Sequence, residues 1–73
     1  MTLNELIAST LRIPVGRVTD ETAMKDVLEW DSLKHMELIV AIEQTYAIEL
    51  TGDEIALMTS VKAIRNTLGK YGK

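Results

Sequence analysis

The chain has 73 residues, of which 47% are apolar, so it can form one small domain around a single hydrophobic core. It contains no cysteine, which excludes disulfide bonds, thiolate metal ligands and a cysteine nucleophile. The net charge is −3, and residues 20–54 carry ten acidic but two basic side chains, which disfavours nucleic-acid binding and favours partners with basic surfaces.

The first predicted helix covers residues 3–12 and begins at Thr2 and Glu5, which have the spacing of a capping box. Pro14 and Gly16 end this helix and begin a long connection, residues 13–31, in which residues 21–28 are predicted to form one or two turns. The apolar face of the helix is formed by Leu3, Leu6, Ile7 and Leu11. The predicted apolar anchors of the connection are Ile13, Val15, Val18, Met24, Val27, Leu28 and Trp30.

The second helix is predicted over residues 32–47, with Asp31 or Ser32 as its cap. Its inward stripe consists of Leu38, Ile39, Ile42 and Tyr46. A mixed apolar and acidic stripe falls on the outer side and consists of Leu33, Met36, Glu37, Val40 and Glu43. Such a stripe suits a partner groove lined with basic and apolar side chains.

Two further helices are predicted near the carboxyl end. Thr51 and Glu54 form a second capping-box pattern, which opens a short helix at about residues 53–58. Thr59 or Ser60 caps the last helix, and Gly69 is its predicted stop signal. The apolar face of that helix consists of Val61, Ile64 and Leu68. The chain is therefore predicted to be all-α.

The residues around Ser32 are not predicted to form an enzyme's active site. His35 follows Ser32 by three residues and could lie beside it on a helix, but Asp31 is not on the same face as His35. Hydrolysis would also need an oxyanion hole and a cleft, for which so short a chain has little room. We expect His35 to be solvated, no catalytic residues, and no metal site, because one histidine and scattered carboxylates form no recognisable ligand set.

The segment Asp31-Ser32-Leu33, followed by Glu37-Leu38 and Ala41-Ile42-Glu43 on one helix, resembles the acyl carrier proteins. The resemblance extends over nearly the whole chain. In that family the serine of Asp-Ser-Leu carries a 4′-phosphopantetheine arm, which a phosphopantetheinyl transferase adds from coenzyme A. The arm's terminal thiol then holds an acyl group as a thioester, and the carrier itself catalyses nothing.

The resemblance implies an up-down four-helix bundle of the acyl-carrier type, with three main helices, a short third helix and a long loop between the first two. It implies a single carrier domain over residues 1–73, with Ser32 as the attachment point flanked by Asp31 and Leu33. The implied partner-recognition residues are Asp31, Leu33, Met36, Glu37, Val40 and Glu43. The implied core, which could open to shelter an acyl chain, is Leu6, Leu38, Ile39, Ile42, Tyr46, Met58, Val61, Ile64 and Leu68.

Trp30 before the motif and Lys34-His35 after it depart from the pattern of housekeeping fatty-acid carriers. They favour a carrier for a specialised fatty-acid, polyketide or lipid-modifying pathway, served by acyl-loading and acyl-processing enzymes with basic docking surfaces. An aminoacyl or peptidyl carrier, such as a D-alanyl carrier, is one alternative. Another is a helical adaptor that binds its partner without covalent chemistry and uses Ser32 only as a cap.

The longest apolar run, residues 38–42, is far shorter than the ~20 residues that a membrane-spanning helix needs. The first ten residues also lack the pattern of a signal peptide. We therefore expect a cytoplasmic monomer that does not span a membrane.

Overall fold

A computed structural model describes residues 2–73 and confirms an all-α chain of three main helices and one short third helix. The helices are α1 (Leu3–Leu11), α2 (Ser32–Tyr46), α3 (Gly52–Leu57) and α4 (Val61–Lys70). Two single-turn 3-10 helices, Val15–Arg17 and Met24–Asp26, lie in the long loop between α1 and α2. Within residues 2–73 no helix combines the length and the apolar character that crossing a bilayer requires.

Both predicted capping boxes form. In α1, the Glu5 amide donates to Thr2 Oγ1 (3.1 Å) while Glu5 Oε1 accepts from the Thr2 amide (2.8 Å). In α3, Thr51 and Glu54 exchange the same pair of bonds at 3.1 and 2.9 Å. These bonds satisfy backbone donors that a helix start otherwise leaves unpaired, so both helices begin where the sequence predicts.

The last helix ends later than predicted. Gly69 lies inside α4, and the left-handed residue that stops the helix is Gly72, with φ 76°. The Lys73 amide donates to the Leu68 carbonyl (3.0 Å) and the Gly72 amide to the Gly69 carbonyl (3.1 Å). This is a Schellman motif, which places the terminating glycine after the last helical turn. Ser60, not Thr59, caps the start of α4 through a bond from the Ala63 amide.

The core draws on all four helices, the long loop and the segment that joins α3 to α4. α1 packs against α2. Eight of the nine predicted core residues are buried: Leu6, Leu38, Ile39, Ile42, Met58, Val61, Ile64 and Leu68. The ninth, Tyr46, is half-buried and packs against the others. Further buried residues are Leu3, Ile7, Ala8, Leu11, Ile13, Val18, Val27, Trp30 and Leu50.

The long loop is tied to the start of α4. The Met24 amide donates to the Thr59 carbonyl (2.8 Å), and the Val61 amide donates to the Thr22 carbonyl (2.9 Å). The prediction that Val15 and Leu28 anchor this loop is wrong, because Val15 is 52% and Leu28 96% exposed. The loop is pinned at its middle by backbone bonds, so not every apolar residue in it is needed for packing.

A hydrogen bond between side chains joins α3 to the end of α4. The Tyr71 hydroxyl donates to Glu54 Oε1 at 2.5 Å. The bond from the Thr51 amide, together with the bond from Tyr71, holds the pKa of Glu54 below its ordinary value. The same carboxylate raises the pKa of Tyr71, because its hydrogen bond favours the protonated phenol.

We expect Glu54→Gln to flatten the acid side of the stability profile. The pKa of Glu54 is lower in the folded chain than in the unfolded chain, so the unfolded chain binds more protons as the pH falls. The stability that this carboxylate contributes is therefore present above about pH 4.5 and is lost as the pH falls through the lowered value. Gln keeps the capping hydrogen bond but does not titrate.

Urea unfolding of both proteins from neutral to acid pH measures this effect, and the two stability curves should converge as the pH falls. Glu5→Gln provides a matched test in α1, because its capping box also lowers the pKa of Glu5. Parallel curves for wild type and Glu54→Gln would contradict the assignment.

Candidate functional site

Ser32 is the first residue of α2, and its side chain is exposed. The preceding Asp31 is extended, with φ −98° and ψ −174°, and its Oδ1 accepts a hydrogen bond from the Lys34 amide at 2.8 Å. The cap of α2 is therefore Asp31. Ser32, the other candidate, does not cap the helix. Its hydroxyl is therefore not needed to hold the start of α2.

The outer face of α2 is exposed and apolar where the sequence predicts. Leu33 is 70%, Met36 50% and Val40 47% exposed. A shallow groove runs along this face and is lined by Leu33, Met36, Glu37, Val40, Ala41 and Gln44. It begins one residue after Ser32, so a molecule that reaches the Ser32 hydroxyl would meet this groove.

The charges of α2 are partly satisfied within the chain. Lys34 Nζ lies 3.5 Å from Glu37 Oε2, which leaves this pair nearly neutral as a unit. Glu43 does not present a free carboxylate on the outer face: it is half-buried, and its Oε2 accepts a hydrogen bond from the Leu50 amide at 2.9 Å. Glu43 therefore also holds the turn after α2, while its predicted part in partner recognition stays a prediction.

The prediction that His35 is solvated is wrong. His35 is 7% exposed, and its Nδ1 accepts a hydrogen bond from Trp30 Nε1 at 3.0 Å. Its Nε2 lies 2.9 Å from the Ile55 carbonyl oxygen of α3. With both ring nitrogens engaged in this way, His35 is not available as a base for Ser32, which agrees with the expectation that the two form no catalytic dyad.

Helical phase could have revealed the burial of His35. It precedes Leu38, Ile39 and Ile42 by three, four and seven residues, so it belongs to the inward stripe of α2. The sequence carries no comparable signal for the contact with Ile55, which lies 20 residues away. Leu57 of α3 is 70% exposed and is a further residue that the sequence did not single out.

No group of three or more His, Asp or Glu side chains in the described part of the chain is arranged to hold a metal ion. The predicted acyl-sheltering residues are packed: Leu38, Ile42 and Ile64 have no exposed surface. An acyl chain could enter this core only by displacing these side chains.

The chain matches the family model described as "Phosphopantetheine attachment site" over residues 2–69. It is similar to the acyl carrier protein of Buchnera aphidicola subsp. Baizongia pistaciae, 35% identical over 69 residues, or 94% of this chain and 88% of that protein. It is also similar to polyketide-8 synthase acyl carrier protein 2 of Streptomyces avermitilis, 35% identical over 82% of this chain and 69% of that protein. A non-reducing polyketide synthase of Emericella nidulans is 30% identical over 94% of this chain, which corresponds to 3% of the synthase.

The start of α2 fits a phosphate ester on Ser32. The hydroxyl is exposed, and the first N–H groups of a helix have no acceptor within it, so the amides of Ser32 and Leu33 are free to face an anion. The positive end of the helix dipole favours a phosphate at the same place. The Asp31 carboxylate accepts a hydrogen bond from the Lys34 amide and leaves the amides of Ser32 and Leu33 available.

We expect Asp31→Ala to lower the free energy of unfolding by about 1 kcal/mol, because it removes the cap of α2. Ser32→Ala should change it by less than about 0.5 kcal/mol, because Ser32 is an exposed residue without a capping role. Asp31→Asn is the matched control, since its side-chain oxygen can still accept from the Lys34 amide. Urea unfolding measures all three variants, and a larger loss for Ser32→Ala than for Asp31→Ala would overturn the assignment.

Proposed function

Because the chain belongs to the acyl carrier protein family of phosphopantetheine attachment sites, we propose that it carries acyl groups as thioesters on a 4′-phosphopantetheine arm attached to Ser32. The arm supplies the thiol, which the chain, lacking cysteine, does not have. The observation that carries the assignment to Ser32 is an exposed hydroxyl at a helix N-terminus whose cap is provided by another residue, Asp31.

The other two serines fit the role less well. Ser60 Oγ accepts a hydrogen bond from the Ala63 amide at 3.1 Å and serves as the cap of α4. Ser9 lies inside α1, where the backbone amides are bonded within the helix and offer nothing to a phosphate. Ser32 therefore combines exposure with free backbone donors.

We propose that a phosphopantetheinyl transferase and the acyl-loading and acyl-processing enzymes dock on the outer face of α2. Leu33, Met36 and Val40 offer exposed apolar surface. The Glu37 side chain is 48% exposed, and its surface ion pair with Lys34 is weak enough for a basic partner to replace it. In this proposal Asp31 acts by shaping the start of the helix, and Glu43 keeps its charge while its carboxylate accepts a hydrogen bond from the Leu50 amide.

We propose that the pathway is a specialised fatty-acid, polyketide or lipid-modifying one, in which the carrier acts as one domain and catalyses no step itself. A relative named as a polyketide synthase acyl carrier protein supports this proposal. Mass spectrometry of the thioester on the protein from its native host would identify the cargo and separate acyl from aminoacyl groups.

We expect incubation with coenzyme A and a broad-specificity phosphopantetheinyl transferase to add one arm to the wild-type chain. Ser32→Ala should remove the addition completely, because no other exposed hydroxyl lies at this helix start. Intact mass measures the addition, and Ser60→Ala is a matched control that should still accept one arm.

An unmodified wild-type chain after treatment with several such transferases would overturn the proposal. A modified Ser32→Ala chain would move the attachment point elsewhere. A non-covalent adaptor would instead show no addition in any variant, and Ser32→Ala would bind its partner as well as the wild type does.

We expect Glu37→Lys to raise the KM of the transferase for this chain by roughly tenfold at low salt, the factor for the loss of about 1.4 kcal/mol of charge complementarity. The fold should be retained, because Glu37 is exposed on the outer face. Glu21→Lys makes the same charge change at an exposed loop position and is the control. Equal KM values for the two variants would remove Glu37 from the docking surface.

A further inference from the structure

Trp30, His35 and Ile55 form a buried chain of two hydrogen bonds, which we call the Trp30–His35–Ile55 relay. Trp30 Nε1 donates to His35 Nδ1 at 3.0 Å, and His35 Nε2 lies 2.9 Å from the Ile55 carbonyl oxygen. Trp30 is 2% exposed, and the two rings lie 6.0 Å apart between centroids with an interplanar angle of 30°. The hydrogen bonds, rather than ring stacking, therefore define the contact.

The partners of His35 determine which of its nitrogens carries the proton. An indole N–H can only donate, so Nδ1 must be the acceptor. A backbone carbonyl can only accept, so Nε2 must carry the hydrogen. The neutral imidazole with its proton on Nε2 satisfies both bonds at once, and no buried side-chain nitrogen or oxygen within residues 2–73 lacks a partner.

The relay joins three segments: the loop before Ser32, the first turn of α2, and α3. Trp30 lies two residues before Ser32 in the loop, and His35 lies three residues after it in α2. Ile55 belongs to α3. The relay therefore connects residues on both sides of Ser32 in the sequence to α3.

α3 depends on such connections. It has six residues, none of them fully buried, and a helix this short is not stable by itself in water. Its anchors are the half-buried Ile55, the buried Met58 at its end, the Glu54–Tyr71 bond and the His35 bond. Of the two polar anchors, the His35 bond is the one that ties α3 to α2.

A buried polar pair is a costly way to fill space, since an apolar pair of the same volume packs without desolvating polar groups. What the polar pair adds is direction: two hydrogen bonds of fixed geometry allow fewer arrangements than apolar contact does. The relay therefore restricts where α3 can lie relative to the first turn of α2.

We propose that Trp30 and His35 are positioning residues, whose relay to Ile55 holds α3 at one place against the first turn of α2 so that a transferase meets α2 and α3 as one surface. The exposed Leu57 of α3 and the exposed Leu33 of α2 are the apolar parts of that surface. The proposal deepens the function proposed above and rests on it where the transferase is concerned, but the placement of α3 does not depend on the arm.

Hydrogen exchange of the unmodified chain tests the placement of α3. In His35→Leu, exchange at the α3 amides should accelerate by roughly threefold to tenfold relative to wild type, the factor expected for one lost hydrogen bond. His35→Gln can still donate an N–H to Ile55 and should restore part of the protection. Ile64→Val in α4, matched to His35→Leu in urea stability, is the control. In this variant the α3 amides should exchange no faster than the change in global stability predicts.

Steady-state kinetics with the transferase tests the consequence. Trp30→Phe keeps the aromatic ring without the N–H, so it should raise the KM for the chain by roughly threefold to tenfold and leave kcat unchanged. The stability-matched Ile64→Val variant should change neither constant at a temperature where it is folded. Trp30→Phe and His35→Gln keep the test valid if His35→Leu does not fold.

The outcomes separate the two proposals. If α3 exchanges equally fast in the His35 variants and in the stability-matched control, the relay is ordinary packing and the inference fails. If exchange changes as expected but KM does not, α3 is not part of the surface that the transferase reads, and the inference fails in that respect. If the wild-type chain accepts no arm, the proposed function fails, and exchange alone decides the placement of α3.

Discussion

The hydrogen bond from the Lys34 amide to the Asp31 carboxylate, 2.8 Å long, determines where α2 begins. An α-helix turns by about 100° per residue, so a start shifted by one residue would present a different residue to a molecule at the helix end. With Asp31 as the cap, Ser32 is the first helical residue, and its hydroxyl is released from a structural role. The same start leaves the Ser32 and Leu33 amides without acceptors in the helix, where a phosphate would lie.

One face of α2 is buried in the core and the other is exposed. The inner face buries Leu38, Ile39 and Ile42, and its contacts with the other helices form the centre of the core. The outer face exposes Leu33, Met36 and Val40, which the fold does not need to bury. Exposed apolar residues in a row are typical of a surface that another molecule covers, and here the row begins beside the proposed attachment point.

Several acids among residues 20–54 have partners within the chain. Glu37 is paired with Lys34, and Glu43 is engaged with the backbone of the following turn. Glu54, another acid of the same region, accepts hydrogen bonds from Thr51 and Tyr71. Several of the acids that make residues 20–54 negative thus also serve local structure, while each carboxylate that accepts a hydrogen bond keeps its charge.

Much of the fold follows from local rules that the sequence displays. The capping boxes at Thr2 and Thr51 and the apolar periodicity of the main helices predicted four helices at nearly their observed bounds, and eight of the nine core residues that the resemblance implies are buried. The Asp-Ser-Leu motif placed a serine at the start of α2. These features depend on residues within one helical turn of each other, or on a period of 3.6 residues, and both can be read from the order of the residues.

Only the tertiary structure decided which polar side chains are satisfied by distant partners. His35 is buried because Trp30 and the Ile55 carbonyl meet its ring, and Glu54 is bonded to Tyr71 of the chain's end. Leu28, an apolar residue of the loop, is exposed, whereas Val27 beside it is buried. The sequence around a single histidine or carboxylate does not show whether its side chain is solvated or buried. Burial becomes favourable only when packing brings a matching donor or acceptor from another element within about 3 Å.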